Sequence, residues 1–196
     1  VTSIREENAF NASGSSAGIG IRLTTDATTK KAFVSEAFEG APGLAVGLDR
    51  GTEIVAIGDG AASLRTVADI ITAEGTAGVT AALGPTTAGV TRTLRITNAG
   101  GTSTVTVTKS DYSLTPVSSR YGALIIDDGG KRVGYLNLRT FISSADSQLR
   151  TAFASFRAAG ISEFIIDFRY NGGGLVSQAY VMADLLAQNR LPSDVL

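Results

Sequence analysis

The segment at residues 163–174 constrains the fold more than any other part of this sequence. An apolar run at residues 164–168 closes on charged side chains and then on three consecutive glycines at 172–174. Such glycines cost backbone entropy, so they persist mainly where the chain takes positive φ or another group approaches the amides closely. Because residues 175–187 then have helical spacing, the order of strand, glycine loop and helix is typical of turns that bind an anion or oxyanion.

Composition excludes several classes of protein. The chain has 196 residues, of which 43% are hydrophobic and 18% charged, as in a globular protein of one large or two small domains. A net charge of −1 and the lack of a long basic run argue against nucleic acid as a partner. No apolar run is long enough to span a bilayer, and residues 1–11 do not resemble a signal peptide, so any export signal would already have been removed. The absence of cysteine and histidine excludes thiol catalysis and a Ser-His-Asp triad within this chain.

Short strands separated by turns dominate the first half of the chain. Apolar alternation predicts strands at residues 19–23, 31–34 and 53–57. Ser63 is placed to cap a helix over residues 64–74, and Gly75 is placed to end it. A β-hairpin is predicted over residues 91–108, with a four-residue loop at 98–101.

This order of elements resembles a PDZ domain of the circularly permuted bacterial kind. The resemblance rests on the glycine-containing segment 18–21, the loop and short helix at 41–48 and the strand at 51–57, whereas residues 76–90 are longer than the usual link. It implies that an extended peptide adds to an edge strand, that loop amides hold the peptide's terminal carboxylate and that the helix supplies side-chain pockets. The implied loop and first strand contain Gly18, Ile19, Gly20 and Ile21.

The predicted helix has one face for the peptide and another for the core. Leu64, Ala68 and Ile71 are spaced i, i+4, i+7 and are assigned to the peptide. This leaves Val67 and Ile70 for the core. The alternative is that the large apolar residues of the loop and of this face are ordinary core residues, as single apolar residues usually are.

A βαβ unit is predicted in the second half of the chain. Its strands are residues 133–138 and 164–168, and Ser144 or Asp146 can cap the helix between them. The strands should be parallel with a right-handed crossover, which puts the glycine loop at the carboxyl end of the second strand, where open α/β sheets bind ligands. The following helix, residues 176–188, is apolar nearly all round and is expected to be buried.

Two motifs here resemble the start of the protease core in the C-terminal processing peptidases, also called tail-specific proteases. They are Tyr-Leu-Asn-Leu-Arg-Thr-Phe at residues 135–141 and Ile-Ile-Asp-Phe-Arg-Tyr-Asn-Gly-Gly-Gly at residues 165–174. The resemblance implies a serine endopeptidase of bacterial envelopes or the chloroplast lumen, using a Ser-Lys dyad or, in one branch, a Ser-His arrangement. In that family the nucleophile lies well beyond the glycine loop. We therefore expect the serine and its base to lie outside this chain, and the chain alone to be inactive.

The same resemblance implies that the glycine loop contributes an amide to an oxyanion hole, from Gly172, Gly173 or Gly174. Gly173 is the preferred donor. The residues themselves favour a structural ion pair between Asp167 and Arg169 over an acid and base pair. Asn171 is expected to hold the turn through a hydrogen bond from its side chain to the backbone.

Other interpretations stay open. The glycine loop nearly fits the G-x-G-x-x-G pattern of a dinucleotide site, although Ser177 replaces the third glycine. A protein of a different class, an envelope peptide-binding protein without catalysis, would keep the same first half. The G-x-S-x-G match at residues 14–18 lacks a preceding strand, a following helix and any histidine, so it is accidental.

The sequence thus predicts a chain of mixed α+β and α/β class. Residues 1–17 form a lead-in segment, residues 18–111 a PDZ-like β-barrel capped by a helix, and residues 112–196 part of a processing-peptidase core. The expected partner is a polypeptide with an apolar C-terminus, and the expected location is the periplasm, the cell envelope or the medium. No cofactor and no metal are expected.

Overall fold

The computed structural model describes residue 11 and residues 14–187, which divide into two compact units. The first unit is Ser16–Tyr112, and the second takes in the described residues on either side of it. Most of the predicted lead-in lies outside the described residues. In its last part, Ser15 begins strand β1 (Ser15–Gly18), which pairs with β8 (Ser110–Ser113).

An antiparallel sheet forms the first unit. Its strands are β2 (Ile21–Asp26), β3 (Lys31–Ala37), β4 (Glu53–Gly58), β5 (Arg65–Thr66), β6 (Thr91–Asn98) and β7 (Gly101–Thr108). The spatial order is β2-β3-β4-β6-β7, with β5 added to β4. The α+β class is confirmed. The described strands form an open path with β2 and β7 at its ends, so no barrel closes among them.

Two helices accompany this sheet, α1 (Pro42–Ala45) and α2 (Val67–Ala82). Buried aliphatic side chains of strands and helices form one core, with Ile54, Ile70 and Leu94 fully buried. The predicted core positions Val67 and Ile70 belong to it. Buried residues alternate with less buried ones from Lys31 to Glu36 of β3, because successive side chains of a strand point to opposite faces.

Helix α2 differs from the prediction at both ends. Thr66, not Ser63, caps it, since the Thr66 hydroxyl accepts a hydrogen bond from the Asp69 amide at 3.0 Å. Gly75 has φ +72° and interrupts the helix as expected, but the chain resumes helical geometry and continues to Ala82. This second half covers residues 76–82, the first part of the segment 76–90 that is longer than the usual link. The hairpin that follows has a two-residue turn, because Asn98 pairs with Gly101.

The second unit has a three-stranded sheet in the order β11-β10-β9. Its elements are β9 (Leu124–Asp128), β10 (Lys131–Asn137), α3 (Ala145–Ala158), β11 (Phe164–Asp167) and α4 (Val176–Leu186). Strands β10 and β11 are parallel, which confirms the βαβ arrangement, and the right-handed crossover stays a prediction. Apolar side chains of α3, including Leu149 and Phe153, pack with Leu136 of β10 and Met182 of α4 in the core of this unit.

Helix α4 was predicted to be buried, and this is wrong for the described residues. Val176 is 64% exposed and Tyr180 is 54% exposed, whereas Met182 is buried. Gln188, the predicted end of the helix, lies outside the described residues. None of the helices in the described ranges combines the length and the apolar character that a bilayer crossing requires.

Candidate functional site

The end of strand β11 is fixed by a charged cluster around Asp167. Its buried carboxylate accepts hydrogen bonds from the Arg169 guanidinium at 2.6 Å, from the Arg169 amide at 2.8 Å and from the Tyr135 hydroxyl at 2.6 Å. The hydrogen bonds from Arg169 hold the pKa of Asp167 well below its usual range, and burial raises the pKa of Tyr135. The predicted ion pair is confirmed. Asp167 therefore anchors the strand end as a carboxylate and is a poor proton donor.

The glycine loop itself is held by Asn171. The Asn171 side-chain oxygen accepts a hydrogen bond from the Gly173 amide at 2.8 Å, and its side-chain nitrogen donates to the Leu138 carbonyl at 2.9 Å. This confirms the predicted role of Asn171 in the turn. Tyr170, just before it, has φ +64°, a conformation that costs energy for a residue other than glycine. The loop is thus a strained turn that its neighbours keep in place.

Gly174 brings the loop into backbone contact with Phe141. The Phe141 amide donates to the Gly173 carbonyl at 3.0 Å, and the Leu175 amide donates to the Phe141 carbonyl at 2.6 Å. A Cβ atom on Gly174, whose φ is +137°, would lie 2.1 Å from the Phe141 carbonyl oxygen. No side chain fits there, so glycine is required by close approach as well as by φ.

These bonds decide which loop amides are available to a ligand. The Gly173 amide, the preferred donor of the prediction, is engaged by Asn171. The Gly172 and Gly174 amides donate to no protein group among the described residues. Because Phe141 and Gly174 pair as parallel strands do, the Gly174 amide points away from Phe141.

The predicted carboxylate loop lies between β1 and β2. The Ile19 carbonyl accepts from the Gly43 amide at 2.8 Å and the Gly20 carbonyl from the Phe38 amide at 2.9 Å, so the loop is fixed by its oxygens. Within the described part of the chain, the amides of Ile19 and Gly20 have no protein acceptor. Gly18 ends β1, and Gly20 has φ +76°. Gly18, Ile19 and Gly20 are all buried, and the two adjacent amides are left without an acceptor among the described residues.

The structure divides the predicted peptide-contacting side chains into two groups. Ile19 and Ile71 are 5% and 7% exposed and belong to the core, so the alternative interpretation holds for these two. Ile21 and Leu64 are half-buried, and Ala68 is exposed. Hydrophobicity alone could not separate the two groups, because helical spacing gives the angle of a residue but not the depth at which it lies.

One cluster beside this loop was not predicted. The Arg22 guanidinium lies 5.4 Å from the centre of the Phe38 ring, and Phe38 stacks on Tyr112 with ring centres 6.3 Å apart. A Cβ atom on Gly20 would lie 3.5 Å from the Tyr112 ring. No local pattern could reveal this contact, since Tyr112 is far from Gly20 in the sequence.

The described residues contain no hydrogen-bonded pair of serine and lysine. Lys31 pairs with Glu53, Lys131 pairs with Glu163, Lys109 donates to backbone carbonyls, and Lys30 is exposed in a turn. The same residues contain no group of three acids placed to hold a metal ion.

Residues 132–193 match the model of peptidase family S41. This segment includes β10 from its second residue, α3, β11 and the glycine loop. The match confirms the resemblance predicted from the two motifs. None of the curated proteins matches the chain.

Solved structures give matches over a longer stretch. A photosystem II D1 C-terminal processing protease is 25% identical with a TM-score of 0.51, and 85% of this chain is covered. A protein from Bacteroides fragilis NCTC 9343 assigned to the S41 proteases is 29% identical with a TM-score of 0.51, and 84% of this chain is covered. In both cases the chain spans 43% of the length of the matched protein. A PDZ domain of a carboxy-terminal protease from Vibrio cholerae in complex with peptide matches 51% of this chain and 99% of its own length, with 19% identity and a TM-score of 0.39.

Proposed function

We propose that this chain is part of a serine endopeptidase of the C-terminal processing type. The observation that carries the proposal is the S41 match over residues 132–193, because it includes the strained glycine loop. The two solved proteases that cover more than four fifths of the chain support it. By the same likeness we place the parent protein in the periplasm, the cell envelope or the medium.

In this proposal the glycine loop stabilises the oxyanion of the tetrahedral intermediate. Of its three residues, Gly174 is the best donor, since the Gly173 amide is engaged by Asn171 and the Gly174 amide points away from Phe141. The Gly172 amide, which has no acceptor among the described residues, is the second donor. Removing one preorganised donor of this kind typically lowers turnover by about 10²–10³-fold. The serine that attacks the peptide carbonyl belongs to a part of the parent outside the described residues.

The first unit, residues 18–111 of the predicted division, would bind the polypeptide substrate. Strand β2 lies at the end of its sheet, so a peptide strand can pair with its open edge. The free amides of Ile19 and Gly20 would hold the terminal carboxylate, with Gly18 and Ile21 beside them. Leu64 and Ala68 of the α2 region supply the apolar side of the groove. Ile19 and Ile71 contribute from the core and not by direct contact.

Peptide titration tests this module with a matched pair of variants. Ala68→Trp places a large ring in the proposed groove, whereas Ala73→Trp changes another exposed alanine on a different side of the same helix. We expect Ala68→Trp to weaken binding of a peptide with an apolar C-terminus at least about tenfold and Ala73→Trp to leave it unchanged. Isothermal titration calorimetry measures both. Equal losses in the two variants would contradict the proposed groove.

The carboxylate loop is tested separately by changing the end of the peptide. A peptide with a free C-terminal carboxylate should bind more tightly than the same peptide with an amidated end, because the Ile19 and Gly20 amides favour an anion. We also expect the purified chain to bind such peptides without hydrolysing them. Cleavage that persists after removal of trace proteases would show that the chain carries its own nucleophile, and the proposal for the second unit would then be wrong.

A further inference from the structure

The two ends of the sheet in the first unit differ in how they are protected. Edge strand β2 carries the charged residues Arg22 and Asp26, and its pairing with β3 shifts register between Arg22 and Leu23. Edge strand β7 has no charged residue and no proline, and it pairs with β6 over its whole length without a shift. Charges and bulges limit the length over which an edge can pair with another strand, so they keep β2 from pairing along its whole length but are compatible with the short peptide of the proposed function. The β7 edge has neither.

The direction of the β7 backbone groups follows from the strand end. The Lys109 amide donates to the Val90 carbonyl, and the Gly89 amide donates to the Lys109 carbonyl, both at 2.8 Å. Because backbone groups of an antiparallel strand alternate in direction, Val107 and Val105 also face β6. The residues whose amides and carbonyls face outward are Thr102, Thr104, Thr106 and Thr108. All four are exposed.

These four threonines also share one face of the sheet. Three of them lie opposite threonines of β6, with hydroxyl oxygens 2.8 Å apart at Thr97 and Thr102 and 3.2 Å apart at Thr91 and Thr108. Thr104 lies opposite Arg95. Side chains of this kind are compatible with a strand added on the outer side, since threonine suits a pleated surface and carries no charge to bury.

We propose that β7 is a pairing edge for a second copy of this chain. Two β7 strands related by a two-fold axis at Val105 would run antiparallel, with Thr104 opposite Thr106 of the second copy and Thr102 opposite Thr108. In this register every outward amide and carbonyl of one copy meets an outward group of the other. Backbone pairing of this kind is open to any extended strand, but in a second copy each outward threonine faces another threonine, so the two-fold pairing is self-complementary in its side chains as well.

Such a dimer would be weak. A single strand edge buries less surface than the roughly 1,200 Å² of a standard interface, so we expect a dissociation constant on the order of 0.1 mM. Sedimentation velocity of the 196-residue chain from micromolar to millimolar concentration should show the mass rising towards that of two chains. A mass that stays at one chain over this range would overturn the proposal.

Paired charge variants test the register. Both variants carry Thr104→Glu, whose carboxylate lies across from Arg95 in either case. Adding Thr106→Glu puts like charges opposite each other in the dimer, and we expect the dissociation constant to rise at least about tenfold. Adding Thr106→Lys puts opposite charges there, so the dimer should persist at low salt and weaken as salt is added. Equal affinity of the two variants would overturn the register.

Hydrogen exchange gives a test that needs no substitution. The amides of Thr104 and Thr106 should become more protected as the concentration of the unmodified chain rises, because pairing covers them. Addition of a peptide with a free C-terminus should leave this protection unchanged. If the peptide protects these amides at low chain concentration, the edge takes peptides and not a second copy, and the proposal is wrong.

Discussion

At the scale of single residues, two of the three loop glycines differ in how strictly their positions require glycine. Gly174 has φ +137° and almost touches the Phe141 carbonyl, so both its conformation and its surroundings exclude a side chain. Gly172 has no neighbour within 4 Å of where a Cβ would lie, and its φ is outside the left-handed range. A run of identical residues thus contains one structural requirement and one position that is free to change.

This difference predicts a large loss of stability for one alanine substitution and a small change for the other. Gly174→Ala should lower the free energy of unfolding by about 2–4 kcal/mol, because the methyl group must displace the Phe141 backbone. Gly172→Ala should change it by less than about 1 kcal/mol. Urea unfolding followed by circular dichroism measures both. If the two variants were equally stable, the close approach of Gly174 to Phe141 would not exist in solution.

At the scale of elements, the end of helix α2 is closed by side chains from the hairpin. The ammonium group of buried Lys109 donates to the carbonyls of Leu83, Gly84 and Pro85 at 2.6, 2.9 and 2.6 Å. Arg92 donates to the Ala82 carbonyl at 3.0 Å. Burial, with the charge of Arg92, lowers the pKa of Lys109. Carbonyls at a helix end have no amide donor within the helix, so the Lys109 and Arg92 side chains supply the missing donors.

Removing this cap should destabilise the first unit. Lys109→Met keeps the length of the side chain but takes the charged donor away from the three carbonyls, and we expect a loss of about 2–4 kcal/mol in the free energy of unfolding. Lys30→Met is the matched control, since Lys30 lies exposed in a turn and should change stability by less than about 0.5 kcal/mol. Thermal unfolding by calorimetry compares them. A similar melting temperature for both variants would count against the cap.

Elements with a local cause were predicted well from the sequence. The parallel strands β10 and β11 and the helix between them follow from hydrophobic spacing, and the Asn171 turn follows from side-chain chemistry. The cap of α2 was assigned to Ser63 because several residues before the helix can accept a hydrogen bond from a backbone amide. Only the folded structure shows that Thr66 does so. The hydrogen bond from the Gly173 amide to Asn171 could likewise not be predicted, because the residue type does not determine the direction in which a backbone amide points.

At the scale of the whole molecule, each unit has a core of its own. The core of the first unit draws its buried residues from Ile19 to Val107, and the core of the second draws them from Val117 to Met182. The first unit also pairs the two strands at which the chain enters and leaves it, β1 and β8. A segment with a complete core and paired ends has the features of an independently folding domain.

We therefore expect residues 15–113 to fold in isolation, with a single cooperative unfolding transition and well-dispersed amide resonances. The control is a shorter chain, residues 19–109, which lacks β1 and β8 and the stacking of Tyr112 on Phe38. Since the shorter chain keeps every residue of the core but loses the ladder that joins its ends, it should be less stable by roughly 1–3 kcal/mol. Equal stability of the two would mean that the β1 and β8 pair contributes nothing to the fold. An unfolded 15–113 chain would show that the first unit depends on the rest of the protein.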